Sequence, residues 1–202
     1  MSDSAGRAGA VDRTTTETKV SVKLDLSRPA IPEGIIDTGV PFFDHMLHQV
    51  ARHAAIALDV RAAGDLEIDA HHTVEDVGIS IGEALIQALG DKRGIARYGD
   101  AVVPMEEALA QVALDISGRP LLAYDADVPA ESIGQYDIAL TEEFFTALCR
   151  AGGLTMHVKL LAGRNAHHCI EAIFKAFARA LRAATDIDPR AGDVVPSTKG
   201  RL

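Results

Sequence analysis

The chain has 202 residues, of which 48% are hydrophobic, so it can bury a sizeable core as one domain or as two small fused halves. Its 20 basic and 29 acidic side chains give a net charge of −9, which excludes broad binding of nucleic acid but allows a few clustered cations to hold one phosphate. The sequence contains no apolar stretch near the roughly 20 residues that cross a bilayer and no apolar secretory segment, so we expect a cytoplasmic protein without a membrane partner.

The first part of the chain begins with an irregular segment and continues with regular elements. Residues 1–14 are rich in Ser, Gly, Ala and Thr without an apolar period, so we expect a mobile tail. Apolar and polar residues alternate over residues 19–26, which predicts a strand with one buried face. A helix is expected to begin near Phe42, a strand to cover residues 58–68, and a second helix to begin at His71.

The second half of the chain repeats the first. LDL at residues 24–26 matches LDI at residues 114–116, and this offset of 90 residues also places Glu17 opposite Glu107. Both glutamates precede a strand. A further strand is expected over residues 154–160, before a helix that matches the one beginning at His71.

The repeat also preserves a polar pattern. HHTVE at residues 71–75 recurs as HHCIE at residues 167–171, an offset of 96 residues, and apolar residues at helical spacing follow both copies. The helical stretches upstream of the two copies place His45 opposite Glu143. In a repeat with only a structural role, the core positions would match between the two copies, whereas the polar surface residues would differ. Because HHxxE is repeated along with the apolar face, we interpret it as functional.

The duplication sets the expected architecture. Glycines and a proline in residues 90–104 favour a connection between the halves. Strands alternating with helices in each half predict an internally duplicated α/β fold, of the α+β type, with sheets backed by helices. We divide the chain into an N-terminal tail (1–14), a first half (15–92), a connection (93–104), a second half (105–187) and a C-terminal segment (188–202).

The repeated HHxxE pattern predicts metal binding. On a helix, the glutamate lies on the same surface as the histidines, but neighbouring histidines point about 100° apart and cannot easily bind one ion. Two ions are therefore implied, with each HHxxE contributing to both, and we expect His45 to complete the first set. Imidazole and carboxylate suit manganese, iron, cobalt, nickel or zinc. The two cysteines, Cys149 and Cys169, are wrongly spaced for a structural zinc site, and we expect reduced thiols.

Six longer motifs, in a fixed order from about Arg13 to the C-terminus, carry a resemblance to a known family. They are DTGVPFFDHML (37–47), DAHHTVED (69–76), GDKRGIARYG (90–99), LDISGRP (114–120), HVKLLAGRNAHHCIEAIFKAFARALR (157–182) and PSTKG (196–200). With these motifs the chain closely resembles imidazoleglycerol-phosphate dehydratases, in the single-function form without a fused phosphatase. The resemblance implies two similar halves, each a four-stranded sheet packed with two helices.

The resemblance implies two Mn²⁺ ions in each active site. Their ligands correspond to His45, His71, His72, Glu75, His167, His168 and Glu171. An eighth ligand is a histidine in some relatives and corresponds here to Glu143, whose carboxylate can also bind manganese. The family's acid/base glutamate corresponds to Glu17, so the expected catalytic carboxylates are Glu17, Glu75 and Glu171.

The substrate implied by the resemblance is imidazole glycerol phosphate, which is dehydrated to imidazole acetol phosphate in histidine biosynthesis. We hypothesise that the reaction passes through an imidazolate that bridges the two metal ions. The substrate-binding residues correspond to Glu17, Gln49, Arg97, Arg119, Lys175, Ser197 and Lys199. Arginine forks, lysine charges and a serine hydroxyl are suitable partners for phosphate. The relatives assemble from trimers into a 24-subunit shell, so we expect a homo-oligomer whose metal sites form where chains meet.

Two other functions are compatible with a duplicated metal-binding pattern. A two-metal hydrolase would use its ions to activate water, and it would release inorganic phosphate. A metal-storage or scaffold shell would bind metal without needing Arg97, Arg119 or Lys199. Dehydration instead keeps the phosphate on the product, so analysis of the products separates the dehydratase from the hydrolase.

Overall fold

The structure, a computed structural model, describes residues 6–27 and 34–202. Ten strands and four helices follow one another along this described part of the chain. The strands are Ala8–Thr14 (β1), Thr18–Asp25 (β2), Ile36–Asp37 (β3), Ala57–Gly64 (β4), Tyr98–Met105 (β5), Ala108–Asp115 (β6), Leu121–Asp125 (β7), Ser132–Ile133 (β8), Tyr136–Asp137 (β9) and Thr155–Ala162 (β10). The helices are Pro41–Ala54 (α1), His71–Leu89 (α2), Ala139–Gly152 (α3) and Ala166–Thr185 (α4).

The two halves form two sheets of the same topology. Each sheet has four strands, in the order β1-β2-β4-β3 in one half and β5-β6-β10-β7 in the other. Neighbouring strands are antiparallel except for the pairs β3 with β4 and β7 with β10, which are parallel and are connected through α1 and α3. Strands β8 and β9 form a separate small hairpin. The predicted duplicated α/β fold is confirmed.

The polar and apolar alternation in the sequence corresponds to the two faces of each sheet. In β2, Val20, Val22 and Leu24 are buried, whereas Lys19 and Lys23 are exposed. This alternation confirms the strand predicted over residues 19–26. The strand predicted over residues 58–68 is shorter in the structure, because β4 ends at Gly64.

Two domain boundaries expected from the sequence are wrong. The expected tail contains β1, which pairs along its full length with β2, while residues 1–5 of that tail lie outside the described residues. The expected connection contains most of β5, so the halves begin near residues 8 and 98, and the connection covers about residues 90–97. Both strands are edge strands with a single paired neighbour and few fully buried side chains, so their apolar period is weak.

A glycine at the same position in each edge strand allows the strand to approach a helix. A Cβ atom on Gly9 would lie 2.1 Å from the carbonyl oxygen of Ala84 in α2. The equivalent atom on Gly99 would lie 2.0 Å from the carbonyl oxygen of Ala180 in α4. The glycines are 90 residues apart and the alanines 96, the two offsets found in the sequence. Glycine is therefore required at both positions by close packing and not by chain flexibility.

The helices pack across the duplication, α1 against α4 and α2 against α3, and share one hydrophobic core with the sheets. Phe144 of α3 lies at this junction, with its ring centroid 5.2 Å from that of Phe43 and 5.6 Å from that of Phe174. Burying one such side chain contributes roughly 1.5–3 kcal/mol. This packing places the start of α2 beside α3 and the start of α4 beside α1. In the described residues, every helix is too short or too polar to cross a bilayer.

Candidate metal centre

The first group of candidate ligands joins α1 to the first turns of α4. The Oε2 atom of Glu171 lies 3.3 Å from Nε2 of His45 and 3.0 Å from Nε2 of His167. The other carboxylate oxygen of Glu171 forms a 2.6 Å ion pair with Lys175. Burial would raise the pKa of Glu171, but Lys175 and the two histidines together lower it, so the carboxylate is ionised. We call His45, His167 and Glu171 the His45 cluster.

The second group occupies the matching place in the other half. His71 and Glu75 of α2 and Glu143 of α3 each place one ligand atom within 4.8 Å of the others. The Nε2 atom of His71 lies 4.0 Å from Oε2 of Glu75, so this group is looser than the His45 cluster. We call these three residues the Glu143 cluster. His45 and Glu143 occupy matching places, each as the third member of one cluster, but His45 joins the second HHxxE motif and not the first set expected from the sequence, because α1 packs on α4.

Both clusters fit a divalent metal ion by the chemistry of their donors. Imidazole nitrogens and carboxylate oxygens converge in each, and these are the donors that manganese, iron and zinc accept. A single ligand atom from each of three residues leaves open positions on an octahedral ion. Each cluster can therefore hold a metal and still bind a further ligand.

Local hydrogen bonds start the two ligand-bearing helices. The side chain of Asn165 caps α4 by accepting hydrogen bonds from the backbone N–H groups of His167 and His168, at 2.9 and 3.4 Å. The carboxylate of Asp69 accepts from the backbone N–H of His71 at 2.7 Å, at the start of α2. Each HHxxE motif is therefore held in the first turns of its helix, where the histidines are accessible from solvent.

The second histidine of each pair points away from its cluster, as the helical geometry predicts. The rings of His71 and His72 have centroids 5.9 Å apart and are nearly perpendicular. The Nδ1 atom of His72 lies 2.9 Å from Asp65, and this hydrogen bond raises the pKa of His72. In the other half, Nδ1 of His168 lies 2.8 Å from Glu107. That hydrogen bond, with further ones from backbone N–H groups, lowers the pKa of Glu107 to about 2.

Asp65 and Glu107 were not predicted as site residues. Each holds the Nδ1 side of a candidate metal-ligating histidine, which fixes the ring and leaves Nε2 free. The match between Glu17 and Glu107 in the duplication was a signal for one of them. Asp65 directly follows Gly64 and has no acidic counterpart, because Arg164 follows Gly163 at the matching place in the other half, so the sequence offered no signal for it.

Glu17, the expected acid/base residue, lies in the turn between β1 and β2. Its Oε1 atom is 3.9 Å from Nε2 of His72, and its side chain is half exposed. The structure thus brings Glu17 near His72, one of the expected metal ligands.

A cavity of about 440 Å³ opens beside the Glu143 cluster, where His71 and Glu143 contribute to its walls.

Four of the expected phosphate ligands lie in or near the C-terminal segment. Arg97 forms a two-point ion pair with Asp115, at 2.7 and 3.1 Å, and donates to the carbonyl oxygen of Pro196 at 2.8 Å. Arg119 approaches the same Asp115 at 3.7 Å and is largely exposed. Ser197 and Lys199 follow Pro196 directly in the chain. Arg97 therefore has most of its donors occupied, whereas Arg119 has donors free for a ligand.

Gln49 and Lys175, the other two expected phosphate ligands, lie elsewhere. Gln49 is one turn after His45 on α1, and Lys175 is one turn after Glu171 on α4, where it forms the ion pair described above. Among the described residues, no hydrogen bond or ion pair connects these two with Arg97 or Arg119. A single chain thus separates the expected substrate ligands into at least two groups.

Known proteins of one family resemble this chain in sequence and in structure. The family model of imidazoleglycerol-phosphate dehydratase matches residues 38–181. Two relatives are the imidazoleglycerol-phosphate dehydratase of Microcystis aeruginosa, 56% identical over 97% of this chain and 93% of its own length, and imidazoleglycerol-phosphate dehydratase 1, chloroplastic, of Arabidopsis thaliana, 51% identical over 98% of this chain and 72% of its own length. The crystal structure of imidazoleglycerol-phosphate dehydratase from Staphylococcus aureus superposes with a TM-score of 0.81 at 40% identity, covering 90% of this chain and 99% of that one. With its duplicated fold and two matched ligand clusters, the chain belongs to the imidazoleglycerol-phosphate dehydratase family of hydro-lyases.

Proposed function

We propose that this protein dehydrates imidazole glycerol phosphate to imidazole acetol phosphate in histidine biosynthesis. The observation that carries the proposal is the pair of equivalent clusters, one in each half, built from the repeated HHxxE motif. The names of the relatives supply the reaction, and the clusters supply donors suited to it.

The metal is proposed to be Mn²⁺, with two ions in each active site. The two clusters offer His45, His167 and Glu171, and His71, Glu75 and Glu143, as ligands. The remaining expected ligands, His72 and His168, face away from their own clusters. We propose that they reach ions held by neighbouring copies, which is compatible with a homo-oligomer of 24 chains built from trimers.

The His45 and Glu143 clusters would hold the metal, which would supply a Lewis acid for the imidazolate chemistry of the substrate ring and so make the neighbouring hydroxyl easier to expel. The carboxylate of Glu17 is proposed to move the proton: it removes the hydrogen from the adjacent carbinol carbon, and the resulting enol becomes the ketone. Its place 3.9 Å from His72, a proposed ligand, supports this role. The metal-binding carboxylates Glu75 and Glu171 complete the catalytic set.

The phosphate group is proposed to orient the substrate. Arg119, Ser197 and Lys199 offer donors near the C-terminus, with Arg97 holding that segment in place through Pro196. Gln49 and Lys175 would approach from beside the His45 cluster. Because the two groups are separated within one chain, a shared site between copies would bring them together. Binding a remote phosphate would then be converted into orientation at the reacting carbon.

The proposal is tested by incubating the assembled, Mn²⁺-loaded protein with imidazole glycerol phosphate. A dehydratase forms a ketone that retains its phosphate, whereas a two-metal hydrolase releases inorganic phosphate, and a metal-storage shell forms neither product. A triple variant, R97A/R119A/K199A, is the matched control for the storage function. We expect it to assemble and load metal but to lose turnover. If the Mn²⁺-loaded wild-type protein forms no ketone, the proposal is overturned.

Two narrower expectations stay predictions. A cytoplasmic location is one of them, since a relative of comparable identity carries a chloroplast designation in its name. The 24-subunit assembly is the other. Sedimentation or light scattering of the purified protein, with and without manganese, measures the number of subunits in the assembly directly. We expect removal of metal to loosen the assembly.

A further inference from the structure

The turn that carries Glu17 is tied to α2 by a buried polar clamp. Asp76 of α2 is 6% exposed. One of its carboxylate oxygens lies 2.8 Å from Nε of Arg13 in β1, and the other accepts a hydrogen bond from the hydroxyl of Thr18 at the start of β2. The clamp therefore holds both strands of the hairpin, one on each side of the turn that contains Glu17.

Hydrogen bonds continue from the clamp to the backbone of Glu17. The hydroxyls of Thr18 and Thr15 are 3.2 Å apart, within hydrogen-bonding distance. The hydroxyl oxygen of Thr15 accepts from the backbone N–H of Glu17 at 3.2 Å and from that of Thr18 at 2.9 Å. The carboxylate of Asp76 is thus connected through two threonines to the backbone N–H of the proposed acid/base residue.

The equivalent hairpin in the second half has no such clamp. The offsets of 90 and 96 residues place Val103 opposite Arg13, Ala108 opposite Thr18, and Ala172 opposite Asp76. The hairpin of β5 and β6 nevertheless packs on α4 with the same pairing as its counterpart on α2. Apolar residues therefore occupy all three positions of the clamp in a hairpin that packs on its helix in the same way, and the turn of that hairpin is held to α4 through Glu107 instead.

The two glutamates at the turns differ in the same way. Glu107 accepts backbone hydrogen bonds from Arg164 and Asn165 at 3.1 and 2.7 Å and bonds to His168, so its side chain is held directly. Glu17 forms no comparable hydrogen bond with its side chain among the described residues; its contact with His72 is 3.9 Å long. The glutamate whose side chain must stay free is the one whose turn is clamped.

Burying a carboxylate costs free energy that its partners only partly recover, and apolar side chains of similar size are often as stable or more stable. Because the second half has apolar residues at the three matching positions, stability alone does not account for the clamp. We propose that Asp76 and Thr18, with Arg13, are positioning residues that fix the turn and place Glu17 beside His72. This inference rests on the proposed role of Glu17 in proton transfer.

The test replaces the clamp by the residues of the other half. The variant R13V/T18A/D76A copies Val103, Ala108 and Ala172, so we expect it to fold, assemble and load metal, with an unfolding midpoint no lower than that of the wild type. We expect kcat to fall about tenfold to a hundredfold, since small misplacements of a catalytic group cost this much. Hydrogen exchange of the Glu17 amide should become faster.

Single variants give matched controls. Thr18→Ala should lower kcat, and Thr18→Ser, which keeps the hydroxyl, should restore it. Ser80→Ala is the control on the same helix, since the Ser80 hydroxyl donates to the backbone carbonyl of Asp76 and not to its side chain. We expect wild-type kcat for Ser80→Ala.

A double-mutant cycle separates this inference from the proposed function. In a Glu17→Gln background, Thr18→Ala should lower kcat no further, because the clamp acts through Glu17. If Glu17→Gln alone retains wild-type turnover, the proposed role of Glu17 fails. If Glu17→Gln abolishes turnover while Thr18→Ala and the triple variant keep the wild-type kcat and the wild-type exchange rate of the Glu17 amide, the clamp inference fails and the proposed function stands.

Discussion

His45 and Glu171 are 126 positions apart in the sequence, yet Nε2 of one lies 3.3 Å from Oε2 of the other. His45 belongs to the first half and Glu171 to the second. The contact exists because α1 packs on α4 across the duplication, and α2 packs on α3 in the same way. Each ligand cluster is therefore assembled from both halves, and neither half could form a complete cluster alone.

Replacing Glu171 by Gln should weaken metal binding at the His45 cluster by more than about 100-fold, since changes to residues that only support a ligand already cost about 10- to 100-fold. The substitution keeps the size of the side chain but removes the charge that pairs with Lys175. Metal content after dialysis against dilute manganese measures the effect. His157→Ala, which changes an exposed histidine on β10, is the control. Equal metal content in Glu171→Gln and wild type would exclude this residue as a ligand.

Glu143 should tolerate replacement by histidine but not by alanine. The carboxylate belongs to the Glu143 cluster with His71 and Glu75, and imidazole is an equally suitable donor for manganese. We expect Glu143→His to retain most of the bound metal and Glu143→Ala to lose it from that cluster. Titration calorimetry of the metal-free protein with Mn²⁺ distinguishes the two. Unchanged affinity in Glu143→Ala would show that Glu143 is not a ligand.

The sequence was sufficient to predict the duplicated fold and to single out the candidate metal ligands, with His45 opposite Glu143. It did not predict how they group, because helix packing across the duplication places His45 with the second HHxxE motif and Glu143 with the first. The edge strands β1 and β5 were not predicted, because their packing depends on glycines that meet a helix backbone, a contact without an apolar period. Asp65 and the clamp on Asp76 were missed for a related reason. The Asp76 clamp joins residues 63 and 58 positions apart, and Asp65, seven positions before His72, has no acidic equivalent in the repeat.

The two candidate phosphate arginines should respond differently to substitution. Arg119 is exposed, so Arg119→Ala should raise KM about tenfold to a hundredfold, the equivalent of one charge-assisted hydrogen bond of about 1.5–3 kcal/mol, with little change in stability. Arg97→Ala should also lower the unfolding midpoint, because it leaves Asp115 without its two-point partner. Steady-state kinetics and thermal unfolding of both variants test this contrast. An unchanged KM in Arg119→Ala would remove it from the substrate site.

The buried thiols should be unreactive in the folded protein. Burial raises the pKa of Cys149 from 9.0 to about 12, so the neutral thiol is favoured by folding. This contribution to stability is fully present below pH 9 and is lost as the pH rises toward 12. A colorimetric thiol reagent at pH 8 should therefore label Cys149 and Cys169 slowly in the native protein and rapidly in concentrated urea. Rapid native labelling of Cys149 at pH 8 would contradict its burial.

The measurement that most directly tests the central claim is anomalous diffraction at the manganese edge from crystals of the assembled protein grown with Mn²⁺. We expect two peaks for each chain, one beside His45, His167 and Glu171 and one beside His71, Glu75 and Glu143. Crystals of the assembled protein in excess manganese that show no anomalous peak at either cluster would contradict it.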